Sequence, residues 1–416
     1  MVKIVIKKHD ILFWFVLIDI LFLPYIKLLR ISASVVPLLL WYVKNLRKVR
    51  YINIFRSVIF LELAVIFSTL LGFILHPQAF STNITYLITF TLTLSYYFFI
   101  YTYLTYNSVT LTNLLLSLIC VSLFFALLFI SNPSEYFSLR SIWSLNSQSI
   151  TFVDALINRY TFIMSDPNSV GTILCSAMLL IFITETGMRT WKKIIIACMT
   201  FGTVVASIST TAFVVYVISL LMYWVTTFGK KIRKKFSVNG VIICIMLISV
   251  AFFYVQRVAN NFNSIDIARV ASERISGNIE GGTLSGRTQI WQSTIKDFSW
   301  YKYIILGHGS AIVDHFGTIR KPHNGHFYVI LAFGVIAYVL FMKIFFKKPR
   351  HTKWKYYIAI IPLLMLFTVN TLLQDYRACL AFVVLIAYYQ TWVIKMRTQS
   401  RINAIIFHKY NSSISQ

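Results

Sequence analysis

The sequence predicts an all-α polytopic membrane protein with about twelve transmembrane helices, measured against the roughly 20 apolar residues that span a bilayer. Of its 416 residues, 58% are hydrophobic and only 12% are charged. Soluble domains carry about 25% charged residues. So few charges cannot solvate the surface of a compact soluble body, whereas a lipid solvent requires apolar side chains there. The composition therefore excludes a soluble globular protein.

The formal net charge of +26 falls in short clusters between apolar runs, which is typical of the cytoplasmic loops of membrane proteins. We interpret these clusters as topology signals that contact anionic headgroups, and not as a nucleic-acid surface. The cysteines lie within apolar runs without a CxxC pair, so we expect neither disulfides nor a structural zinc site. The basic clusters are Lys44–Arg50, Arg189–Lys193, Lys230–Lys235 and Lys347–Lys355.

We read the whole chain, residues 1–416, as a single integral membrane domain. The N-terminus has no small-residue cleavage site, so we expect a retained first helix. If the basic N-terminus is cytoplasmic, alternation places all the basic clusters and the tail on the cytoplasmic side. Two loops, residues 131–166 and 256–322, then lie on the other side. The predicted spans are Ile11–Ile26, Ile31–Val43, Ile52–Leu75, Ile84–Leu104, Leu111–Ile130, Asn168–Thr184, Ile194–Ser207, Thr211–Phe228, Val238–Val255, Gly325–Phe346, Tyr356–Leu372 and Ala378–Ile394.

The large loop before the third-last helix, Gln256–Pro322, is the first candidate for chemistry, since a loop of this length is usually functional or disordered. We expect it to be partly helical, because Arg287–Phe298 places apolar residues on one helical stripe. Ser285 and Gly286 precede this stretch. A helix N-terminus beside an arginine is a potential anion site.

The run KPHNGH at the mouth of the next predicted span is the second candidate. It places His323, Asn324 and His326 where water meets lipid, and a histidine there can act as base, acid or hydrogen-bond donor. Arginine, helix N-terminus and histidine together suit a lipid-linked phosphate or diphosphate with a reacting sugar. No cluster has metal-ligand spacing, which favours a metal-independent transfer without a cofactor.

Each of these signals also has a purely structural interpretation. An interfacial histidine is more often a capping or belt residue, and a lone external arginine is usually solvated or paired. Trp291 is more often a packing anchor than a sugar platform. Arg159 and the turn at Asp166-Pro167-Asn168 fit a simple helix N-cap with proline at the first helical position.

The order of several short motifs along the chain adds to these signals. Asp166-Pro167-Asn168 opens one helix, and the small-residue turn Ser207–Thr211 joins two later ones. A GRxxxW motif (Gly286, Arg287, Trp291), a GxG motif (Gly307, Gly309) and a PHN motif (Pro322, His323, Asn324) follow, the last leading into a glycine-interrupted helix. This series resembles the O-antigen ligase and polymerase superfamily, especially the oligosaccharide repeat-unit polymerases of capsule and exopolysaccharide pathways. The similarity covers roughly Arg159 to Gly334.

The resemblance implies a bacterial inner- or plasma-membrane glycosyltransferase with cytoplasmic termini and an outward-facing active site. Its substrates would be undecaprenyl-diphosphate-linked glycans, and its partners membrane lipid, a chain-length regulator and a flippase. By the same resemblance, Arg287 would bind the donor diphosphate and His323 would assist the acceptor hydroxyl. Expected substrate contacts are Arg159, Asn168, Trp291, Arg320, Lys321, Asn324 and His326.

One position departs from the family pattern. Many relatives have an arginine after the small residues of the second turn, where this chain has Thr210 and Thr211. Arg159, Arg320 or Lys321 would have to replace it. The departure affects which residues are expected to bind the substrate, and it leaves the family resemblance unchanged.

Two other functions remain open from the sequence. A ligase that moves finished glycan to an acceptor would have the same fold. A transporter or flippase for lipid-linked sugars predicts polar residues in mid-helix, whereas the few intramembrane acids lie mostly near predicted helix ends. These acids are Asp19, Glu62, Glu185 and Asp375.

Overall fold

The computed structural model describes residues 11–24, 32–49, 54–143, 160–164, 166–207, 209–232, 304–313, 319, 322, 324–346, 354–369 and 375–414. The predicted span Val238–Val255 and the predicted helix Arg287–Phe298 lie outside these residues.

The described chain is helical, apart from turns and one isolated bridge between Val313 and Ile319. Short 3₁₀ turns at Pro77–Ala79, Ser141–Trp143 and Ile358–Ile360 accompany the helices. The α-helices are α1 Ile11–Phe22, α2 Val35–Val49, α3 Phe55–Leu75, α4 Phe80–Tyr106, α5 Thr112–Ser131, α6 Pro133–Arg140, α7 Pro167–Thr184, α8 Thr190–Ala206, α9 Thr210–Ile232, α10 Gly325–Phe345, α11 Trp354–Tyr357, α12 Ile361–Val369 and α13 Tyr376–Ile414.

Six helices of the described chain are long and apolar enough to cross a membrane. They are Phe55–Leu75, Pro77–Tyr106, Thr112–Ser131, Pro167–Thr184, Gly325–Phe345 and Tyr376–Thr398, and shorter apolar helices accompany them. Large apolar side chains point away from the bundle, among them Phe60 (61% exposed) and Leu63 (55% exposed). Because lipid is the only solvent that favours such an exterior, the chain is a polytopic membrane protein.

Two helix boundaries differ most from the predicted spans. α2 begins at Val35, after a turn at Ser32–Ser34. α13 continues to Ile414, far beyond the apolar run that ends at Ile394. No glycine or proline interrupts Tyr376–Ile414, so nothing in the backbone stops the helix where the apolar run ends.

α7 is the central helix of the bundle. Every residue from Asn168 to Ile183 is buried, and the helix packs against α5, α8, α9, α12 and α13. α13 lies along α4, and α10 lies along α3. A helix that is apolar and buried on all sides belongs to the interior of a large helical body.

The starts of α7 and α10 lie at the same end of the bundle, called the entry end below. The Ser176 hydroxyl in the middle of α7 donates to the carbonyl of Ala359, which precedes α12. His326 at the start of α10 contacts Thr368 near the end of α12. α10 therefore runs antiparallel to α12.

α13 runs parallel to α10, because Gln390 donates to the Ile344 carbonyl near the end of α10. At the other end of α13, Arg377 and Trp143 donate to the adjacent carbonyls of Leu23 and Phe22, and Arg140 donates to the Met164 carbonyl just before α7. The starts of α7 and α10 therefore lie at the entry end.

Candidate active site

Three of the predicted site residues lie within the described chain: Asn168, Asn324 and His326. The other predicted site residues lie outside it: Arg159, Arg287, Trp291, Arg320, Lys321 and His323. The roles of both groups stay predictions.

Asn324 forms the N-cap of α10. Its backbone is extended (φ −152°, ψ 118°), and its side-chain oxygen accepts a hydrogen bond from the Phe327 amide at 3.1 Å. This bond satisfies one of the amides that a helix start leaves without a partner. Asn324 is 6% exposed. The third residue of the PHN motif therefore fixes where α10 begins, next to His323 in the chain.

His326 points into the bundle from the first turn of α10. Its Nδ1 lies 3.0 Å from the Tyr338 hydroxyl, and its Nε2 lies 3.2 Å from the Thr368 hydroxyl. The ring edge also packs against Phe367. Because both ring nitrogens are engaged by side chains, His326 ties α10 to α12 in this structure.

α10 is broken at Gly334. This residue has φ 83° and ψ 170°, a conformation that is essentially restricted to glycine. The break lies about 14 Å from the start of the helix at 1.5 Å per residue. It divides α10 into two half-helices and leaves the carbonyls of Leu331 and Ala332 without their normal helical partners.

Residues Ile304–Val313, called the docking segment below, satisfy the backbone groups at this break. The His308 amide donates to the Leu331 carbonyl at 2.7 Å, and the Gly309 amide donates to the Ala332 carbonyl at 2.9 Å. In return, the Val335 amide donates to the Ile304 carbonyl at 2.6 Å. Unpaired backbone groups are costly inside a membrane protein. The GxG motif therefore completes the broken helix.

α3 and α4 hold the other side of the docking segment. The Thr69 and Ser310 hydroxyls lie 2.7 Å apart, and the Asn83 side chain accepts from the Ala311 amide at 2.6 Å. Gly72 and Gly309 approach so closely that a Cβ on either would lie 2.8 Å from the other's Cα. The Ser68 hydroxyl donates to the Ala332 carbonyl at the break itself. Sequence reasoning did not single out these α3 and α4 residues, because isolated hydroxyls in an apolar run give no signal of a tertiary contact.

His308 and His76 stack beside the docking segment, with ring centroids 5.8 Å apart. Burial, and to a smaller extent the neighbouring His76 ring, lowers the pKa of His308 to about 4. Burial also lowers the pKa of His76. Both rings are therefore neutral near pH 7. They do not supply the positive charge that a diphosphate requires.

The first motif of the series, at the start of α7, contacts the small-residue turn. Asp166 caps α7 by accepting from the Asn168 amide at 2.6 Å, with Pro167 at the first helical position. This confirms the N-cap interpretation of the turn. The Ser209 hydroxyl donates to the side-chain oxygen of Asn168 at 2.5 Å and accepts from the Ala212 amide at 3.0 Å. One hydrogen bond therefore joins the starts of α7 and α9 at the entry end.

The segment that follows Arg159 is anchored to α5 and α6. The Tyr160 hydroxyl lies 2.7 Å from the Ser122 hydroxyl. The Tyr136 hydroxyl accepts from the Thr161 amide at 3.2 Å, and Arg140 donates to the Met164 carbonyl at 3.3 Å. Residues 160–164 are thus held in place between α6 and α7. The chain next to Arg159 is fixed at the entry end.

Within the described residues, no group of three or more His, Cys, Asp or Glu side chains could hold a metal ion. Polar side chains and helix starts gather at the entry end of an apolar helical bundle. This arrangement defines a polytopic membrane protein with polar, hydrogen-bonded helix starts at one end of its spans.

The family comparison refines this class. The model of the family described as O-antigen ligase matches residues 194–342. Residues 194–342 therefore form an O-antigen ligase family domain, which contains most of α8, all of α9, the docking segment and most of α10, including the break. No curated protein matches the chain, and no solved structure does.

Proposed function

We propose that the protein is a membrane polymerase that joins undecaprenyl-diphosphate-linked oligosaccharide repeat units into a capsular or O-antigen-type polysaccharide. Members of the matched family are ligases or polymerases of lipid-linked glycans. The observation that carries the proposal is that residues 194–342 contain the GRxxxW, GxG and PHN motifs together. The GxG and PHN motifs both adjoin the broken helix α10.

In the proposed reaction, a hydroxyl oxygen of the acceptor repeat unit forms a bond with the anomeric carbon of the donor chain. The bond between that carbon and the diphosphate oxygen breaks, and undecaprenyl diphosphate leaves. Arg287 binds the diphosphate through its planar fork and stabilises the charge that develops there. His323 takes the hydroxyl proton. These two side chains account for the charge and the proton without a cofactor.

An arginine is better suited than His76 and His308 to provide the positive charge that binds the diphosphate. His76 and His308 are neutral near pH 7 because burial lowers their pKa values. A guanidinium stays protonated at this pH and presents donors that match two phosphate oxygens. Arg159, Arg320 and Lys321 are the further candidates for the charge that relatives place at the Thr210–Thr211 position.

We further propose twelve spans, cytoplasmic termini and an entry end that faces outward from a bacterial inner or plasma membrane. The loops 131–166 and 256–322 are then extracytoplasmic. Lys192 and Lys193 support this orientation, because they lie in the first turn of α8, which follows the end of α7 opposite to Asn168. Basic residues concentrate on the cytoplasmic side. A reporter inserted in the 256–322 loop that proves cytoplasmic would refute this orientation.

The second candidate is a ligase that transfers finished glycan to an acceptor, which the description of the matched family favours. Surface glycans of cells that lack the gene separate the two. Loss of a polymerase leaves surface molecules with one repeat unit, whereas loss of a ligase leaves none. A gel of surface glycans shows the difference directly.

The site assignment is tested by His323→Ala and Arg287→Lys. His323→Ala should abolish long polymer at a normal membrane level of the protein. Arg287→Lys should also impair polymer formation, because lysine lacks the bidentate fork. Arg56→Lys is the matched control, since Arg56 is exposed at the start of α3. Full-length polymer from both site variants would contradict the assignment.

A further inference from the structure

A cavity with basic side chains, called the basic cavity below, lies at the turn that joins α7 to α8. Its volume is about 660 Å³, which is within the range of roughly 300–1,000 Å³ of small-molecule sites. Its lining includes Glu185, Met188, Arg189, Trp191 and Lys192. The turn follows α7, an apolar helix long enough to cross a membrane. The basic cavity therefore lies where the bilayer meets water, and it belongs to none of the motifs above.

The charges of the lining favour an anion. Arg189 and Lys192 are both exposed, and neither makes an ion pair within the described chain. Glu185 is the one carboxylate of the lining, and it accepts from the Thr112 hydroxyl at 2.7 Å. Two positive charges against one negative charge leave the lining net positive, so an anionic group is the complementary ligand.

The neighbouring Lys193 does not share this arrangement. Its ammonium donates to the Tyr223 hydroxyl at 2.9 Å and lies 5.6 Å from the centroid of the Tyr223 ring. Lys193 is thus engaged with α9 inside the bundle. The ammonium of Lys192, in contrast, lies 5.6 Å from the centroid of the Trp191 ring. Cation and indole therefore form one wall of the basic cavity.

An apolar strip continues from the basic cavity along α8. Trp191, Ile195 and Cys198 are spaced by four and three residues, so they share one face of the helix, and all three are exposed. Ile194 beside them is 57% exposed. Other faces of α8 pack against α5, α7 and α9, so the apolar strip faces lipid. A cationic cavity that continues into a lipid-facing strip matches a ligand with an anionic head and an apolar tail.

We propose that the basic cavity binds the headgroup of one anionic phospholipid, with phosphatidylglycerol as the probe. The Arg189 fork donates to two phosphate oxygens, and the Lys192 ammonium adds a second positive charge. Trp191 lies at the depth of the headgroups, where tryptophan is enriched, and the acyl chains lie along the apolar strip. Basic pockets between transmembrane helices bind anionic headgroups in the same way. A free anion would fill the basic cavity but would leave the apolar strip without a role.

The test uses the full-length protein purified in a neutral detergent. Phosphatidylglycerol or phosphatidylcholine with the same acyl chains is added, and bound lipid is counted by native mass spectrometry. Phosphatidylglycerol should saturate at one tightly bound lipid per chain. It should bind at least about tenfold more tightly than phosphatidylcholine, because the protein's cations stabilise only the anionic headgroup. Glycerol 3-phosphate, a headgroup without acyl chains, should not displace it at equal concentration.

The double variant Arg189→Gln with Lys192→Gln removes both cations of the basic cavity. It should bind phosphatidylglycerol at least about tenfold more weakly than the native protein and bind phosphatidylcholine as before. The matched control is Lys44→Gln with Arg56→Gln, which removes the same charge from two exposed positions on α2 and α3. The control should bind phosphatidylglycerol as the native protein does. Both double variants should keep the native Tm in lipid-free detergent, as exposed substitutions usually do.

Any of four results would overturn the proposal. Equal affinity of the native protein for the two lipids would show that the headgroup charge is not recognised. Displacement by glycerol 3-phosphate at equal concentration would indicate a site for a free anion. Undiminished binding by the Arg189–Lys192 double variant, or an equal loss in the control, would indicate a response to net charge or to detergent. If that double variant does not fold, Lys192→Gln alone and the two-lipid comparison decide. No measurement involves a glycan, so none depends on the proposed polymerase activity.

Discussion

Replacing Gly334 with alanine tests the broken helix most directly. A continuous α10 and a broken α10 predict opposite changes in the free energy of unfolding. In a continuous helix, glycine to alanine in the interior stabilises by up to about 1 kcal/mol. In the broken helix, alanine must adopt φ 83° and ψ 170°, and its Cβ would lie 2.1 Å from the Ile305 carbonyl oxygen. The variant should therefore destabilise the protein.

The magnitude follows from two contributions. The backbone conformation costs a non-glycine residue about 1–3 kcal/mol. Displacing the docking segment from the Cβ adds about 1–3 kcal/mol, as overpacking of a tight core does. The hydrogen bond between the Val335 amide and the Ile304 carbonyl is weakened in addition. We expect a loss of about 2–6 kcal/mol in the free energy of unfolding, summed from these ranges.

The assay is denaturant or thermal unfolding of the purified protein, followed by tryptophan fluorescence. Gly187→Ala is the matched control, since a Cβ there would contact nothing within 4 Å. The control should stay within about 0.5 kcal/mol of the native protein, as surface substitutions usually do. A Gly334→Ala variant that is as stable as the control, or more stable, would refute the break and with it the role of the docking segment.

Three further predictions concern the entry end. Asn324→Ala should cost about 1 kcal/mol of unfolding free energy because α10 loses its cap, while Asn324→Asp should retain most of it; equal losses in both would contradict the cap. Ser209→Ala should cost about 1–3 kcal/mol, since the Asn168 side chain loses a buried donor. The control is Ser81→Ala at an exposed position, which should change little. Because the pKa of His308 is lowered to about 4, the unfolded chain binds more protons between that pH and about 6.5. Stability should thus fall as the pH falls through this window, by up to about 3 kcal/mol, and His308→Gln should flatten the dependence; an unchanged slope in that variant would exclude His308 as its source.

Helices and their approximate bounds were predictable because the information is local. An apolar run of about 20 residues must form a helix in lipid, since every backbone group has to be paired within the segment. The predicted cap at Asp166-Pro167-Asn168 was confirmed for the same reason, because it depends on adjacent residues only. The bounds of α13 were less accurate, since hydropathy marks the membrane and not the end of the helix.

The motifs at the site were visible in the sequence, but their mutual arrangement was not. In the sequence, the GxG motif lies within the large predicted loop, whereas in the structure it packs into the break of α10 and against α3. Contacts such as Thr69 with Ser310 join residues hundreds of positions apart. Such contacts depend on which helices pack together, and hydropathy does not encode that choice.

The sequence alone determined that this protein lies in a lipid bilayer and in which order its motifs occur. Composition and residue spacing are sufficient for both, because neither depends on contacts between distant residues. Only the tertiary structure decided which backbone groups that the break in α10 leaves unpaired find partners elsewhere. That outcome depends on the packing of α3, α10 and the docking segment. The folded bundle decides which residues far apart in the sequence form hydrogen bonds with each other, because each bond forms only when the other helix is in place.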